Sequence, residues 1–297
     1  MFKKASVIIA SRNEGEMLRQ TIDFIKRAPV NIPYEIIAVD DGSEDGSFDW
    51  LAASRDPLIR GVKTSGQGCG YARNRGADIA SGDMLVFCDA HIDAEPYWLD
   101  KLAQTLEDYR ADAVTPAFYD LTVNDADRKE PRFGCGMTLS RLTQAEWLYG
   151  RTGPFETPIL CGACWAVRRE AFRDIGGYEE AFRGCGGDDA EISLKLWLNG
   201  YTVYAAPSVH IAHRFRRRAP YPVSWADVMY NEMYIALCHY NDERVKRLLA
   251  KQAIFLNSDK DYAEVFTPEN IRKVRLPKFE RRKRSDDWFF THFGMDL

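Results

Sequence analysis

The first hundred residues alternate short apolar runs with stretches of helical periodicity, and this constrains the fold more than any other feature of the chain. "ASVIIA", "YEIIAV" and "DMLVFCDA" read as strands. Between them, Met17, Leu18, Ile22 and Ile25 recur at helical spacing, "DGSFDWLAAS" starts a second helix, and "GYARNRGADIASG" reads as a third, closed by Gly82 at a C-terminal cap. "EPYWLDKLAQTL" predicts a fourth, with Pro96 in its first turn. Strand and helix in alternation predict an α/β fold, a largely parallel sheet covered on both faces, with ligands bound at the carboxyl ends of the strands. Three polar clusters fall at such ends: "SRNE" (Ser11–Glu14), "DDGSEDGS" (Asp40–Ser47) and "DAH" (Asp89–His91).

The later chain is less regular. Residues 125–158 carry charge, Gly and Pro and read as surface loop with an irregular sheet portion. "CWAVRREAF" predicts a strand and then a helix. "GCGGDDAEISLKLWL" predicts a Gly-rich acidic loop opening a helix, and "TVYAAPSVHIAHRFR" an extended segment. Residues 1–222 therefore read as the α/β domain and 223–297 as a helical extension, a lid or an interface, through which a homodimer could form. The tail pairs "RRKR" (Arg281–Arg284) with "DDWFFTHF". A solvated basic turn followed by aromatics packed on the core is preferred there over a membrane-docking patch.

Composition removes several classes. A net charge of −4 argues against a nucleic-acid partner. No apolar run approaches the roughly 18 residues of a membrane span, and the N-terminal apolar run is too short for a signal peptide, so the expected location is cytoplasmic. The seven cysteines are scattered and odd in number, which reads as reduced thiols. "CGAC" (Cys161–Cys164) lacks the second pair that a zinc site would want, and buried free thiols are the preferred reading.

In an extended segment, residues two apart point the same way, so Asp89 and His91 can aim at one point. A carboxylate and a neutral imidazole suit Mn²⁺ or Zn²⁺, but two ligands are too few. An Asp capping a turn beside an incidental His weighs equally on this stretch alone. Asp188, Asp189 and Glu191 stand at a helix start, where the dipole alone would favour them. The preceding Gly-Gly would let a ligand approach the backbone, and a carboxylate held there could deprotonate an acceptor. "HIAHRFRRR" supplies two histidines and then Arg214, Arg216, Arg217 and Arg218, either a solvated basic face or a metal ligand with phosphate-binding forks.

Taken in order, "SVIIASRNE", "IIAVDDGSEDGS" and "GYARNRGADIASGDMLVFCDAHIDAEPYWLDKL" resemble family 2 glycosyltransferases of the GT-A fold. The Asp-x-His and the run from "GACWAVRREAF" to "HIAHRFR" are similar to polypeptide N-acetylgalactosaminyltransferases. The resemblance covers about residues 5–222 and makes the α/β domain, residues 1–222, the catalytic one. It implies a UDP-sugar donor and Mn²⁺ (or Mg²⁺), with Asp89, His91 and His213 as metal ligands. It implies Arg216 at the diphosphate, Tyr221 nearby, and Arg73 near the nucleotide. Ser11, Asn13, Glu14, Asp40, Asp41 and Asp89 join the nucleotide-sugar site, with the choice between Asp40 and Asp41 for the base contact open. The acceptor it implies is a peptide, a protein or a glycan, through a hydroxyl or thiol.

The chain departs from the N-acetylgalactosaminyltransferase pattern. Ala219 stands where that family has His, and the segment after residue 222 is too short for its lectin domain. Gly-Gly-Asp-Asp replaces Gly-Gly-Glu-Asn. Inverting family 2 enzymes have a catalytic Asp at that last position, so the expectation is inversion. Asp189 is then the general base, Asp188 bonds the sugar or acceptor, and Glu191 completes the acidic motif. The alternatives are retaining peptide glycosylation, or an inactive nucleotide-sugar-binding protein.

Overall fold

The computed structural model describes residues 1–121, 133–216, 219–256 and 267–296. In chain order the elements begin with β1 (Ala5–Ser11), α1 (Met17–Arg27), β2 (Tyr34–Asp41), α2 (Asp49–Ala53), β3 (Ile59–Thr64) and α3 (Cys69–Ile79). There follow β4 (Met84–Asp89), β5 (Ile92–Ala94), α4 (Trp98–Asp108), β6 (Ala113–Asp120), β7 (Phe133–Cys135), β8 (Met137–Leu139), β9 (Ala145–Trp147) and β10 (Phe155–Glu156). The chain continues with β11 (Cys164–Arg168), α5 (Arg169–Asp174), α6 (Asp188–Leu198), β12 (Val203–His213), α7 (Trp225–His239), α8 (Asp242–Leu256), α9 (Pro268–Arg281) and α10 (Asp286–His292).

The main sheet runs β10-β12-β6-β11-β4-β1-β2-β3. Its β3-β2-β1-β4 half is parallel, and β11 enters antiparallel between β4 and β6. Strands β1 and β4 are apolar on both faces because helices cover both faces. α1 buries Leu18, Ile22 and Ile25, the stripe that its periodicity predicts. The irregular stretch resolves from Phe133 onward into short strands, with β8 and β9 forming a separate ribbon.

Register explains why the polar clusters meet. Ser11 pairs with Asp40 and Ala10 with Asp89, so the ends of β1, β2 and β4 share one rim. After β4 the chain turns through Ala90 and His91 into β5, which pairs antiparallel with β12, opposing Ile92 to His213. A crossover from the centre of the sheet to its far half thus carries "DAH" to the end of β12.

Gly82 does not cap α3 as its position suggested. α3 ends at Ile79 with extended Ala80 after it. A Cβ on Gly82 would lie 2.6 Å from the Lys4 carbonyl oxygen and 2.8 Å from the Ser6 nitrogen, so glycine is needed for backbone packing against β1. Pro96 precedes α4, which starts at Trp98.

The helices after residue 223 share the core of the sheet: one apolar cluster runs from Ala5 to Phe290 and includes Met233, Ile235, Phe289 and Phe290. The tail aromatics pack inward as preferred, with Phe293 5.0 Å and Trp288 6.1 Å from the Trp197 ring. Among the basic residues, Arg282 reaches Asp286 at 3.6 Å and Arg284 donates to the Tyr201 carbonyl at 2.9 Å. No helix among the described residues is long and apolar enough to cross a membrane.

Gly82→Ala is expected to lower stability by about 1–3 kcal/mol, the cost of overpacking against atoms that cannot yield. Chemical denaturation measures it; an unchanged midpoint would mean that the β1 backbone moves aside.

Candidate active site

A cavity of about 260 Å³ opens at the carboxyl rim, lined by Ser11, Arg12, Glu14, Asp41, Asp89, His91, Arg216 and Tyr221 among others. The three polar clusters of the sequence converge here, and the segment Ala219–Pro222 closes one side.

Asp89 is the junction. Its Oδ1 accepts from Arg73 Nη2 at 2.8 Å, and its Oδ2 lies 3.1 Å from His213 Nε2. Burial alone would raise its pKa, but His213 and Arg73 outweigh burial and hold it well below the usual carboxylate range. His213 is buried, and burial, with the neighbouring His91 and Arg216, lowers its pKa in spite of Asp89, so the ring is neutral near pH 7. With Nε2–H given to Asp89, its buried Nδ1 has no hydrogen-bond partner among the described residues. His91 lies beside it, its ring tilted by 45° with the centroids 4.7 Å apart. Asp89, His91 and His213 each offer a ligand atom, all within 4.8 Å of one another. A carboxylate, two imidazoles and an orphaned ring nitrogen fit a borderline divalent ion.

Glu14 holds the second layer of this group. Its Oε2 lies 3.2 Å from His91 Nδ1, and Arg216 donates to both its oxygens, Nη1 at 3.0 Å. Burial raises the Glu14 pKa, but the His91 and Arg216 bonds bring it below its ordinary value. A carboxylate behind a ligating imidazole is a common way of fixing its tautomer.

The remaining expected residues fall in different places. Ser11 is buried on the wall, and its hydroxyl has no partner among the described residues. Asn13 ties the first two loops together: its Oδ1 accepts from the Glu44 N–H and its own N–H donates to Ser43 Oγ, both at 2.9 Å. Asp40 accepts from the Ser43 N–H at 3.0 Å. Asp41 organises the turn after β3, accepting from Thr64 Oγ1 (2.7 Å) and from the N–H groups of Gly66 (3.1 Å), Gln67 (2.9 Å) and Gly68 (2.7 Å). Of the two aspartates, Asp41 lines the cavity. Arg73 lies beneath it, donating to Asp89 and to the Gly162 carbonyl at 2.8 Å, with its guanidinium 5.3 Å from the Tyr178 ring centre. Arg217 and Arg218 lie outside the described residues.

Asp188 and Asp189 open α6. They keep some accessible surface but sit in a recess where burial, the leading cause, pushes each pKa up to about 6. Asp188 stands against Gly70, next to the wall residue Cys69, its Oδ1 3.2 Å from where a Gly70 Cβ would lie. Asp189 bonds the Gly162 backbone, and its Oδ1 would be 2.1 Å from a Cβ there. This explains the Gly in "CGAC". Cys161 and Cys164 are buried free thiols with pKa values pushed up by burial.

Glu191 corrects an expectation. It is not at the active site: it points to the C-terminal helices, 3.1 Å from His239 Nε2 and 3.3 Å from Lys195 Nζ. Burial would raise its pKa, but these two partners bring it down to about 2. Asp189 bonds the Gly162 backbone, while Glu191, two residues on and so about 200° round the helix from it, faces His239 of α7.

Sequence reasoning passed over Arg12. It lines the cavity beside Gly66, and its buried Nε has no partner among the described residues. Its signal was its place inside the "SRNE" cluster. Cys69, Gly184 and Cys185 also line the wall, and no chemical pattern in the sequence marks them.

Residues 6–176 match the model of glycosyl transferase family 2, and residues 152–218 match one described as the N-terminal domain of galactosyltransferase. The chain is 31% identical over 238 residues to polypeptide N-acetylgalactosaminyltransferase 10 of Homo sapiens, covering 73% of this chain and 39% of that protein. It is 31% identical over 312 residues to the Mus musculus protein of the same name, covering 98% and 50%. The chain thus spans half or less of the length of these curated relatives. Among solved structures it resembles GalNAc-T7 with UDP, GalNAc and Mn²⁺, with a TM-score of 0.76 and 20% identity over 99% of this chain and 57% of that one. It also resembles a mannosyltransferase of Pyrobaculum calidifontis in complex with GDP-Man and Mn²⁺, with a TM-score of 0.53 and 17% identity over 94% and 82%. At these identities the likeness shows the fold, GT-A.

Asp41→Asn is expected to cost about 1.5–3 kcal/mol of stability, because an amide cannot accept from all four donors. Urea denaturation checks it; an unaltered midpoint would mean that the turn after β3 is held by other contacts.

Proposed function

The chain belongs to glycosyl transferase family 2, and from that premise we propose that it transfers a sugar from a UDP-sugar to a hydroxyl or thiol acceptor with inversion, Asp189 acting as base. The observation that carries the donor half is the meeting of Asp89, His91 and His213 at the rim of the cavity. These residues would hold Mn²⁺ or Mg²⁺. Such an ion, when bound, offsets the charge on the diphosphate leaving group. Arg73 keeps Asp89 ionised and aimed at the rim. Glu14 orients His91, and Arg216 can exchange Glu14 for the diphosphate, whose oxygens suit its planar fork. Tyr221 and the Ala219–Pro222 segment shield the site from water.

In this reading Asp189 takes the acceptor proton as the acceptor atom bonds the anomeric carbon. The bond from that carbon to the diphosphate oxygen breaks on the opposite side, and UDP leaves. A base with a pKa of about 6 is ionised at neutral pH and still accepts a proton. Asp188 bonds the sugar or the acceptor. The relatives' names favour N-acetylgalactosamine as the sugar and a polypeptide as the acceptor.

A second reading, retention of configuration, is favoured by one observation: neither Asp188 nor Asp189 is on the cavity wall. NMR of the product anomer separates the two, and a retained configuration overturns the assignment of Asp189. With inversion, Asp189→Asn lowers turnover by about 10²–10⁴-fold while UDP still binds. The base works only when deprotonated, so the wild-type rate falls as pH drops through about 6 and the variant loses that limb. Glu14→Gln is expected to weaken Mn²⁺ binding by about 10–100-fold in calorimetry; unchanged affinity would leave Glu14 no part in orienting His91.

A further inference from the structure

The Gly-rich loop before α6 reads in the sequence as a place where a ligand approaches the backbone. What approaches it is helix α7. A Cβ on Gly184 would lie 3.3 Å from Asp227 Oδ2, one on Gly186 would lie 3.4 Å from Val228 Cγ2, and one on Gly187 would lie 3.0 Å from Ile235 Cδ1. All three glycines have positive φ, at 54°, 111° and 87°. Residues 227, 228, 231 and 235 form one face of a helix, and that face is pressed along the loop.

At the centre of the face is Asn231, with no exposed surface. Its Oδ1 accepts from the Arg183 N–H at 2.8 Å, and its Nδ2 donates to the carbonyls of Arg183 and Gly186, both at 2.9 Å. These groups belong to a turn that cannot pair with itself, and buried backbone groups left unpaired are costly. A carboxamide is the side chain with one acceptor and two donors on a planar group of this size. The outer side of the same loop supplies Gly184 and Cys185 to the cavity, and its last residues lead directly into Asp188 and Asp189.

We propose that Asn231 is a positioning residue for the transfer reaction: from the C-terminal extension it sets the Gly184–Gly187 loop, and through it the acidic pair. The extension then acts as a fixed brace, and not as a lid. This rests on the reading of Asp189 and the donor cavity given above. It touches none of the residues assigned to the metal or the diphosphate.

The test uses the full chain and the variants Asn231→Asp and Asn231→Ala. Asn231→Asp keeps the shape and the acceptor but removes both donations. Calorimetry measures UDP binding in Mn²⁺, steady-state kinetics with a UDP-sugar (hydrolysis, if no acceptor is known) measure kcat and KM, and hydrogen exchange reports on residues 183–187. The expected result is unchanged UDP affinity and KM, kcat lower by about a hundredfold, and faster exchange confined to the loop. Normal kcat in either variant overturns the proposal. A collapse of the melting temperature in both, with binding and turnover lost together, makes Asn231 a general stability residue and also overturns it. If the wild type itself neither binds UDP nor turns over a UDP-sugar, the failure lies with the proposed function.

Discussion

The rim depends on one partly buried carboxylate. Asp89 stands at the end of a strand whose other residues are apolar, and burial there disfavours a charge. Arg73 from α3 and His213 from β12 make the charge tolerable. Each of the three needs the others: Arg73 is itself buried, and His213 is buried with one ring nitrogen unpaired. Removing any one leaves a polar group stranded in low dielectric, so the halves of the sheet on either side of β4 are joined by electrostatics as well as by hydrogen bonds between strands.

That junction also shows how far a sequence can be read. Strand, helix and rim were legible because apolar runs and helical periods are local, and the polar clusters sat where runs ended. The pairing of "DAH" with His213 was not local. It follows from β5 lying antiparallel on β12, which no spacing reveals; only the resemblance to known glycosyltransferases pointed to it. Glu191 misled for a physical reason: three acidic residues in four positions look like one cluster in a sequence, but Glu191, two residues beyond Asp189, lies across the helix from it and pairs with His239 and Lys195. Arg73, expected near the nucleotide, supports Asp89 from beneath, because an arginine on a helix packed against the sheet reaches upward through the core.

Glycine carried information that composition could not decode. Gly82, Gly162 and Gly187 lie in loops, yet each is small for a different partner: the β1 backbone, the Asp189 carboxylate and the α7 side chains. A sequence marks such positions as permissive without saying what presses on them. The same limit hid Asn231, which reads as an ordinary helix residue until the loop it bonds is brought beside it.

Glycine and carboxylate together set the character of the acidic pair. The start of α6 would favour ionised aspartates through its dipole, yet burial in the recess raises both pKa values. The two effects oppose, and the shift shows that desolvation wins. It wins because both sides of the recess are closed by close packing that needs absent side chains: Gly162 against Asp189, Gly70 against Asp188, and the loop glycines against α7. A bulkier residue at any of these points would disturb that packing. In the proposed reading the helical extension, by holding the loop against α6, would act on the chemistry of the site without touching the cavity.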